Sequence, residues 1–151
     1  MESINKLSTA DSDHGRFRAH GLVEVTIKEN LVQSEAWGPF NDEFVQAYAT
    51  VKKQVVKEMH SKGRWAHMVI FHRSALASQP TLDFYAAYLK TSAAQSYAPA
   101  ATAFVIAEGV EGATLMPPLF AKCYQNAGLQ FKAFTNSKDA DAWLTATLNL
   151  S

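Results

Sequence analysis

The stretch that most constrains this chain is an almost unbroken apolar run near its middle. Residues 66–71 read Ala-His-Met-Val-Ile-Phe, so only His67 interrupts the apolar side chains. A strand with one face in water alternates apolar and polar residues, whereas a strand covered on both faces does not. We therefore predict that this run is the central strand of an α/β domain, with helices on both faces of its sheet.

The rest of the chain alternates between strand patterns and helix patterns. Strands are predicted over residues 22–27, 31–37, 101–107 and 129–134, and helices begin after Asn41, at Ser78, near Leu119 and at Ser137. A tight turn joins the first two strands, so they form an antiparallel hairpin. The order β-β-α-β-α-β-α-β-α predicts a five-stranded, mixed and mostly parallel sheet. Residues 15–151 form this single domain, and the polar residues 1–14 precede it as a flexible segment.

The first helix has the clearest sequence boundaries. Asn41 occupies an N-cap position, and Gly63 follows the last helical residue, where a left-handed conformation ends many helices. Apolar residues at intervals of three and four form a stripe that faces the sheet, namely Phe44, Ala47, Tyr48, Val51, Val55 and Met59. Lys52, Lys53 and Lys57 are predicted to lie mostly on the opposite, solvent-facing side.

Charge and cysteine usage argue against several classes of protein. The 14 basic and 14 acidic residues balance, and no run of Lys or Arg exists, so no nucleic-acid partner is expected. The single cysteine, Cys123, cannot form an internal disulfide, and no signal-peptide pattern occurs, which indicates a cytoplasmic protein. No apolar run approaches the ~20 residues that span a bilayer. Cys123 is predicted to be an inert packing residue on the third helix.

The sequence predicts no cofactor, no metal and no catalytic residue. Neither a Gly-x-Gly-x-x-Gly nor a Walker-type run follows any predicted strand, and the Gly-x-Ser-x-Gly elbow of serine hydrolases is absent. His14, His20 and His60 show no metal-ligand spacing. His67, inside an apolar strand, is interpreted as a hydrogen-bonded core residue.

Polar residues gather where the predicted central strand ends. His72, Arg73 and Ser74 follow it directly, while Trp37 and Glu108 stand at the ends of neighbouring strands. Open α/β sheets bind ligands at this edge, where helix N-termini also converge. We therefore predict that these five residues bind a ligand, with Arg73 favouring an anion. The alternative is a solvated strand end at which Arg73 pairs with a carboxylate such as Glu108.

A loop rich in glycine and proline, residues 109–118, carries Leu115 and Met116. Exposed apolar residues on such a loop can act as a lid, a dimer contact or a shallow membrane anchor. They can equally fold back and pack onto the sheet. The aromatic residues assigned to the second helix add to the case for a lipid or membrane partner, namely Phe84, Tyr85, Tyr88 and Tyr97.

The chain resembles the SpoIIAA-like group of STAS-related bacterial domains over residues 21–148. The resemblance rests on the element order, on Gly38-Pro39-Phe40-Asn41 between the hairpin and the first helix, and on the closing motif Asp-Ala-Asp-Ala-Trp-Leu at residues 139–144. It implies a small regulatory or ligand-binding domain without known chemistry. The architecture is also similar to that of Sec14-type lipid-binding domains, which implies apolar ligands or the inner surface of the bacterial membrane as partners.

The same resemblance draws attention to two serines. Antagonists of anti-sigma factors in the wider group carry a phosphorylated serine in an Asp-Ser-Ser/Thr-Gly motif, at the start of a helix after a central strand. The matching region here runs from Arg73 to Pro80 and contains Ser74 and Ser78, but neither the aspartate nor the glycine. Ser74 and Ser78 are thus phosphosite candidates by resemblance, without the motif.

Three hypotheses for the function follow, from different classes. The leading one is a non-enzymatic regulatory or binding module that takes a small anionic or apolar ligand, or a protein partner, at the carboxyl ends of the central strands. The second is a lipid-binding or peripheral membrane protein. The third is an enzyme of unknown chemistry with His72 as acid or base. A homodimer is also expected, because symmetric dimers are the commonest soluble assembly.

Overall fold

The computed structural model describes residues 5–8 and 21–149. The strands in this part of the chain are β1 Asn5–Ser8, β2 Leu22–Lys28, β3 Leu31–Trp37, β4 Ala66–His72, β5 Ala101–Val105 and β6 Phe131–Phe134. The helices are α1 Asp42–Met59, α2 Gln79–Ala94, α3 Met116–Asn126 and α4 Ser137–Asn149, and a short 3-10 turn, His60–Lys62, extends α1. The α/β class expected from the sequence is confirmed.

The strands form one mixed sheet in the order β1-β2-β3-β4-β5-β6. β1, β2 and β3 are antiparallel neighbours, and β3 to β6 run parallel. The apolar run predicted as the central strand is β4, and it lies inside the sheet between β3 and β5. Its Ala66 is aligned with Leu31 on one side and with Ala101 on the other.

The sheet has six strands where five were expected, and the difference is β1. Residues 5–8 read Asn-Lys-Leu-Ser and contain a single apolar residue, so the sequence pattern gave no reason to predict a strand there. Backbone pairing with β2 creates it, and Leu7 packs partly buried against the main core. Of the segment expected to be flexible, residues 1–4 and 9–14 lie outside the described residues.

Helices cover both faces of the sheet, but unequally. We call the face that contacts α1, α2 and α3 the inner face, and the face that contacts α4 the outer face. Each parallel crossover steps one strand in the same direction, and right-handed crossovers in one direction place their helices on one face. The larger core therefore lies on the inner face. The smaller core under α4 contains Met68, Ala103 and Leu144.

The helix termini largely follow the sequence signals. Asn41 Oδ1 accepts a hydrogen bond from the Phe44 N–H at 2.9 Å, and Gly63 adopts a φ of 80° beyond the 3-10 turn. The cap of α4 differs from the expectation: the Asn136 side chain, and not Ser137, accepts from the Asp139 N–H at 2.8 Å. An Asn side chain one residue earlier reaches the same free N–H groups, so Ser137 becomes the first helical residue.

Replacing Asn41 by alanine tests the cap of α1. Asn41→Ala leaves the N–H of Phe44 without its acceptor, so we expect a loss of about 1 kcal/mol in the free energy of unfolding. Urea denaturation followed by circular dichroism measures the change. The control is Gln46→Ala, an exposed position on the same helix, which should stay within roughly 0.5 kcal/mol of the parent. Equal stabilities for the two variants would contradict the capping role.

Candidate functional site

The structure brings together only part of the predicted strand-end site. Trp37 and His72 are aligned on neighbouring strands, and their rings stack with centroids 4.9 Å apart. His72 Nε2 lies 3.1 Å from Oε1 of Glu35, which was not among the residues predicted for this site. These side chains lie on the outer face, because His72 follows Met68 and Ile70 at intervals of two. Both members of the His72–Glu35 pair are substantially exposed, so the pair contributes little to stability.

The other members of the predicted site lie apart from this stack. Ser74 is buried, and its hydroxyl accepts from the Leu76 N–H at 3.1 Å. The Ser74 carbonyl accepts from the Gly38 N–H at 3.0 Å, and a Cβ on Gly38 would lie 2.2 Å from that oxygen. Ser74 therefore holds the chain after β4 against the chain after β3. Arg73 and Glu108 are exposed, and no salt bridge joins them within the described part of the chain.

The strand order bears on the expectation of a ligand crevice at this edge. Ligand crevices of open α/β sheets lie at a switch point, where successive crossovers leave in opposite directions. Across β3, β4, β5 and β6 the order never reverses. The described sheet therefore has no switch point among β3 to β6, and the segments that follow β3 and β4 contact each other at Gly38 and Ser74.

The structure also places the other residues that the sequence singled out, which are Ser78, Leu115, Met116 and Cys123. Ser78 caps α2, where its hydroxyl accepts from the Thr81 N–H at 3.3 Å. Leu115 is 61% exposed, whereas Met116 is 1% exposed and packs in the core as the first residue of α3. Of the two residues proposed as a lid or membrane contact, only Leu115 is therefore available at the surface. Cys123 is buried, and burial raises the pKa of its thiol, in line with a packing residue.

An apolar cavity of about 60 Å³ lies between the inner face and helices α1 and α2. Ala36 and Phe71, the next-to-last residues of β3 and β4, contribute to its floor, so it lies near the carboxyl ends of the central strands. Its other lining residues are mostly apolar and include Val23, Phe40, Phe44, Val69, Ala77, Leu82, Phe104 and Phe120. Thr81 also lines it, and its hydroxyl donates to Asp42 Oδ1 at 2.8 Å, which joins the starts of the two helices.

A second feature of the inner face is a polar cluster inside the core, formed by Ser34, Lys52 and His67. Their exposed fractions are 0%, 8% and 1%. His67 Nδ1 lies 3.3 Å from Lys52 Nζ, and His67 Nε2 lies 2.6 Å from Ser34 Oγ. An ammonium group can only donate, so with Lys52 charged the imidazole accepts at Nδ1 and donates from Nε2 to the serine. The interpretation of His67 as a hydrogen-bonded core residue agrees with this geometry.

Lys52 was expected to face solvent, and that prediction is wrong. It lies seven residues after Val45 and seven before Met59, both of which are buried in the core. Residues seven apart share a face of an α-helix, so this spacing was a signal in the sequence for an inward-facing lysine. The apolar stripe of α1 is wide enough to include position 52 at its edge.

Burial governs the electrostatics of this cluster. Desolvation lowers the pKa of Lys52 to about 7. Within the described residues no carboxylate lies within salt-bridge distance of the amine; its neighbours are His67 and the rings of Trp65 and Tyr48, at 5.1 and 5.8 Å from the ring centroids. Burial, and then the charge of Lys52, hold the pKa of His67 well below its usual value, so its imidazole is neutral.

Tyrosine side chains lie between the polar cluster and the apolar cavity. Tyr48 and Tyr85 line the apolar cavity and also a smaller one, of about 20 Å³, beside Lys52. The Tyr85 hydroxyl is hydrogen-bonded to that of Tyr124, and burial raises the pKa of all three phenols. Thr102, aligned with His67 on the next strand, lines the smaller cavity as well. Polar groups are thus concentrated in one part of the inner core.

Two further properties bear on function. Among residues 5–8 and 21–149, no group of three or more His, Cys, Asp or Glu side chains is placed to hold a metal ion. In the same residues, no helix combines the length and the apolar character required to cross a bilayer.

The pH dependence of stability tests the buried state of Lys52. Its pKa is about 7 in the folded protein and near 10.5 when unfolded, so between these values the unfolded chain holds more protons. Stability should therefore rise with pH in this window, by roughly 2 kcal/mol from about pH 7 to pH 9. Lys52→Met should remove this rise in urea denaturation, because the titrating group is gone.

Lys53→Met is the matched control, since Lys53 is the exposed neighbour on the same helix. It should keep the pH dependence of the parent protein. Parallel stability curves for the parent and Lys52→Met across this window would show that the amine is not buried as described.

Comparison with known proteins adds no relative to this picture. No protein-family model matches the chain, and no curated protein or solved structure matches it. The resemblance to SpoIIAA-like domains therefore stays a prediction from element order and short motifs. The function has to be argued from the geometry of the described residues.

Proposed function

We propose that this protein is a non-enzymatic binding domain that holds a small apolar ligand in the cavity between the sheet and helices α1 and α2. The observation that carries the proposal is the cavity itself, about 60 Å³ in volume and lined almost entirely by apolar side chains. Protein interiors are close-packed, so a void of this kind leaves its lining without contacts that a ligand would restore. Apolar pockets with a few polar groups at their border are typical ligand sites.

The size of the cavity limits the ligand. An engineered apolar cavity of ~150 Å³ binds benzene. The present cavity is smaller, so a ligand of about the size of benzene is the largest it takes, and benzene itself needs small shifts of the lining side chains. A longer chain, such as that of a lipid, requires α1 and α2 to separate at their starts, where Thr81 donates to Asp42. A small, compact ligand is therefore favoured over a lipid.

The polar groups of the cavity support binding more than catalysis. The lining residues that carry hydroxyls are Thr81, Tyr48 and Tyr85. The Thr81 hydroxyl is engaged by Asp42, and burial raises the pKa of both phenols, so neither ionises near neutral pH. No nucleophile paired with a base lines this cavity. The regulatory or ligand-binding character implied by the resemblance to SpoIIAA-like domains agrees with this proposal.

Benzene binding, and its loss when a larger side chain fills the cavity, tests the proposed function. The parent protein should be stabilised by saturating benzene, measured as a rise in Tm, because the ligand binds only the folded state. Ala77→Leu places additional carbon atoms at the lining, so it should weaken benzene binding about tenfold or more, a change of about 1.4 kcal/mol.

Ala87→Leu is the control, because Ala87 is an exposed residue of α2 outside the lining. It should bind benzene like the parent. If benzene raises the Tm of no variant, or raises that of Ala77→Leu as much as that of the parent, the cavity does not bind apolar ligands as proposed.

One observation favours association with a membrane surface as the second candidate function. Leu115 is 61% exposed immediately before α3, and Phe84 on the neighbouring helix α2 is 40% exposed. An exposed leucine ahead of a helix can insert shallowly into a bilayer, although one side chain alone gives weak binding.

Liposome co-sedimentation tests this second candidate. Leu115→Ser should lower the fraction bound to vesicles that contain anionic lipid, because insertion of the leucine is lost. Thr114→Ser, a conservative change at the exposed neighbouring position, should leave the fraction unchanged. No sedimentation of the parent protein with any vesicle would exclude membrane association.

A further inference from the structure

The polar cluster of Ser34, Lys52 and His67 has no part in the proposed apolar site. An apolar residue in place of Lys52 would avoid the cost of burying an amine, and such replacements inside proteins are often neutral or stabilising. Buried ionisable groups with altered protonation are also frequent at reactive sites. The cluster is therefore a candidate reactive site.

We propose that Lys52 is a nucleophilic amine that captures a small aldehyde or ketone as an imine, with His67 moving the proton. Three observations carry the proposal. Lys52 is 8% exposed, its Nζ lies 3.3 Å from His67 Nδ1, and the residue lines a cavity of about 20 Å³. Within the described residues no carboxylate lies close enough to hold the amine in its charged form.

The surroundings suit an amine that reacts while neutral. A lysine becomes nucleophilic when an apolar pocket removes its solvation. Here Tyr48 and Trp65 place aromatic rings beside Nζ, and burial lowers the pKa of Lys52 to about 7. The neighbouring Lys53 is exposed and has no such surroundings. The two adjacent lysines thus differ in whether the protein removes water from their amines.

The proposed step balances without an oxidant or a further reactant. The lone pair of neutral Nζ forms a bond to the carbonyl carbon, and the π electrons move to the oxygen. A proton leaves the nitrogen for Nδ1 of His67, while Ser34 holds the other side of the imidazole through Nε2. His67 returns this proton to the oxyanion, which gives a carbinolamine. The nitrogen lone pair then expels the hydroxyl, and the second N–H proton passes through His67 to it, so that one water leaves and the neutral imine remains. Addition of water reverses the sequence.

The proposed reaction requires a route to the amine, and a groove lies next to the small cavity beside Lys52. The groove has a volume of about 270 Å³ and lies at the amino ends of β4 and β5, where Trp65 and Ala100 contribute to its lining. Tyr97 and Ala98 line both this groove and the small cavity beside Lys52. They belong to the connection between α2 and β5, and Tyr97 is 48% exposed. The small cavity has room for about one water-sized group, which suffices for the carbonyl while the rest of the molecule faces the groove.

Reductive trapping tests this proposal on the intact parent protein. Brief treatment with dilute acetaldehyde and cyanoborohydride near neutral pH converts each imine to an ethylated lysine, and peptide mass spectrometry measures the rate at every position. We expect Lys52 to be ethylated about tenfold faster than Lys53 or more, because burial leaves a large part of the Lys52 amine neutral near pH 7. The rate at Lys52 should level off above about pH 7.

Two variants complete the experiment. Tyr97→Ala, a change at a half-exposed side chain, should accelerate ethylation of Lys52 and leave Lys53 unchanged, because it widens the path from the groove. Lys52→Met should remove the fast-reacting position without changing the rates elsewhere. A purely structural amine gives the opposite result: Lys52 would be among the slowest lysines to react, and Tyr97→Ala would not change its rate. That outcome would overturn the proposal whether or not benzene binds the apolar cavity.

Discussion

The direction of the crossovers is the constraint on which the rest of this structure depends. From β3 to β6 every connection steps to the next strand on the same side, so right-handed crossovers place α1, α2 and α3 together on the inner face. Three helices over one face enclose a large core. Both cavities and the buried polar cluster lie in this layer, between the sheet and the helices, and not at an edge of the sheet.

The inner layer is apolar toward the carboxyl ends of the central strands and more polar toward their amino ends. Toward the carboxyl ends, aromatic and aliphatic side chains such as Phe71 and Phe44 surround the apolar cavity. Toward the amino ends, His67 and Thr102 are aligned across β4 and β5, and Lys52 reaches them from α1. Hydrogen bonds inside a protein are stronger than in water, but a buried polar group without a partner is costly. In the described residues, no buried side-chain nitrogen or oxygen lacks a partner, so the cluster is compatible with a well-ordered core.

The outer face has a different character. α4 covers β4, β5 and β6, whereas no described helix covers the outer face of β1, β2 and β3. Trp37 and Glu35 lie on this uncovered part, and His72 lies beside it at the end of β4. The Trp37 ring stacks on His72, and the Glu35 carboxylate contacts His72 Nε2. Their arrangement is that of a half-exposed sheet surface. It accounts for the aromatic and polar residues at the strand ends without requiring a ligand between them.

Interactions between neighbouring residues were sufficient to predict much of the fold. The unbroken apolar run of β4, the Asn41 cap and the glycine after the 3-10 turn are each properties of a few neighbouring residues, so the sequence alone determined them. β1 was not predicted, because backbone pairing with β2 stabilises it. Such pairing leaves no apolar pattern in a segment of four mostly polar residues. The lack of a switch point among β3 to β6 depends on strand order, a property of the whole sheet.

The candidate sites depended on tertiary structure to a greater degree. Spacing from Val45 and Met59 could have indicated that Lys52 faces inward, yet no spacing could show that its amine meets His67, which is fifteen residues away on another element. Cavities are differences between the volumes of side chains from several elements, so a sequence does not display them. The chain's own residues thus determined which elements form and where they end. The packing of α1 and α2 on the inner face alone decided that an amine, an imidazole and an apolar void share one core.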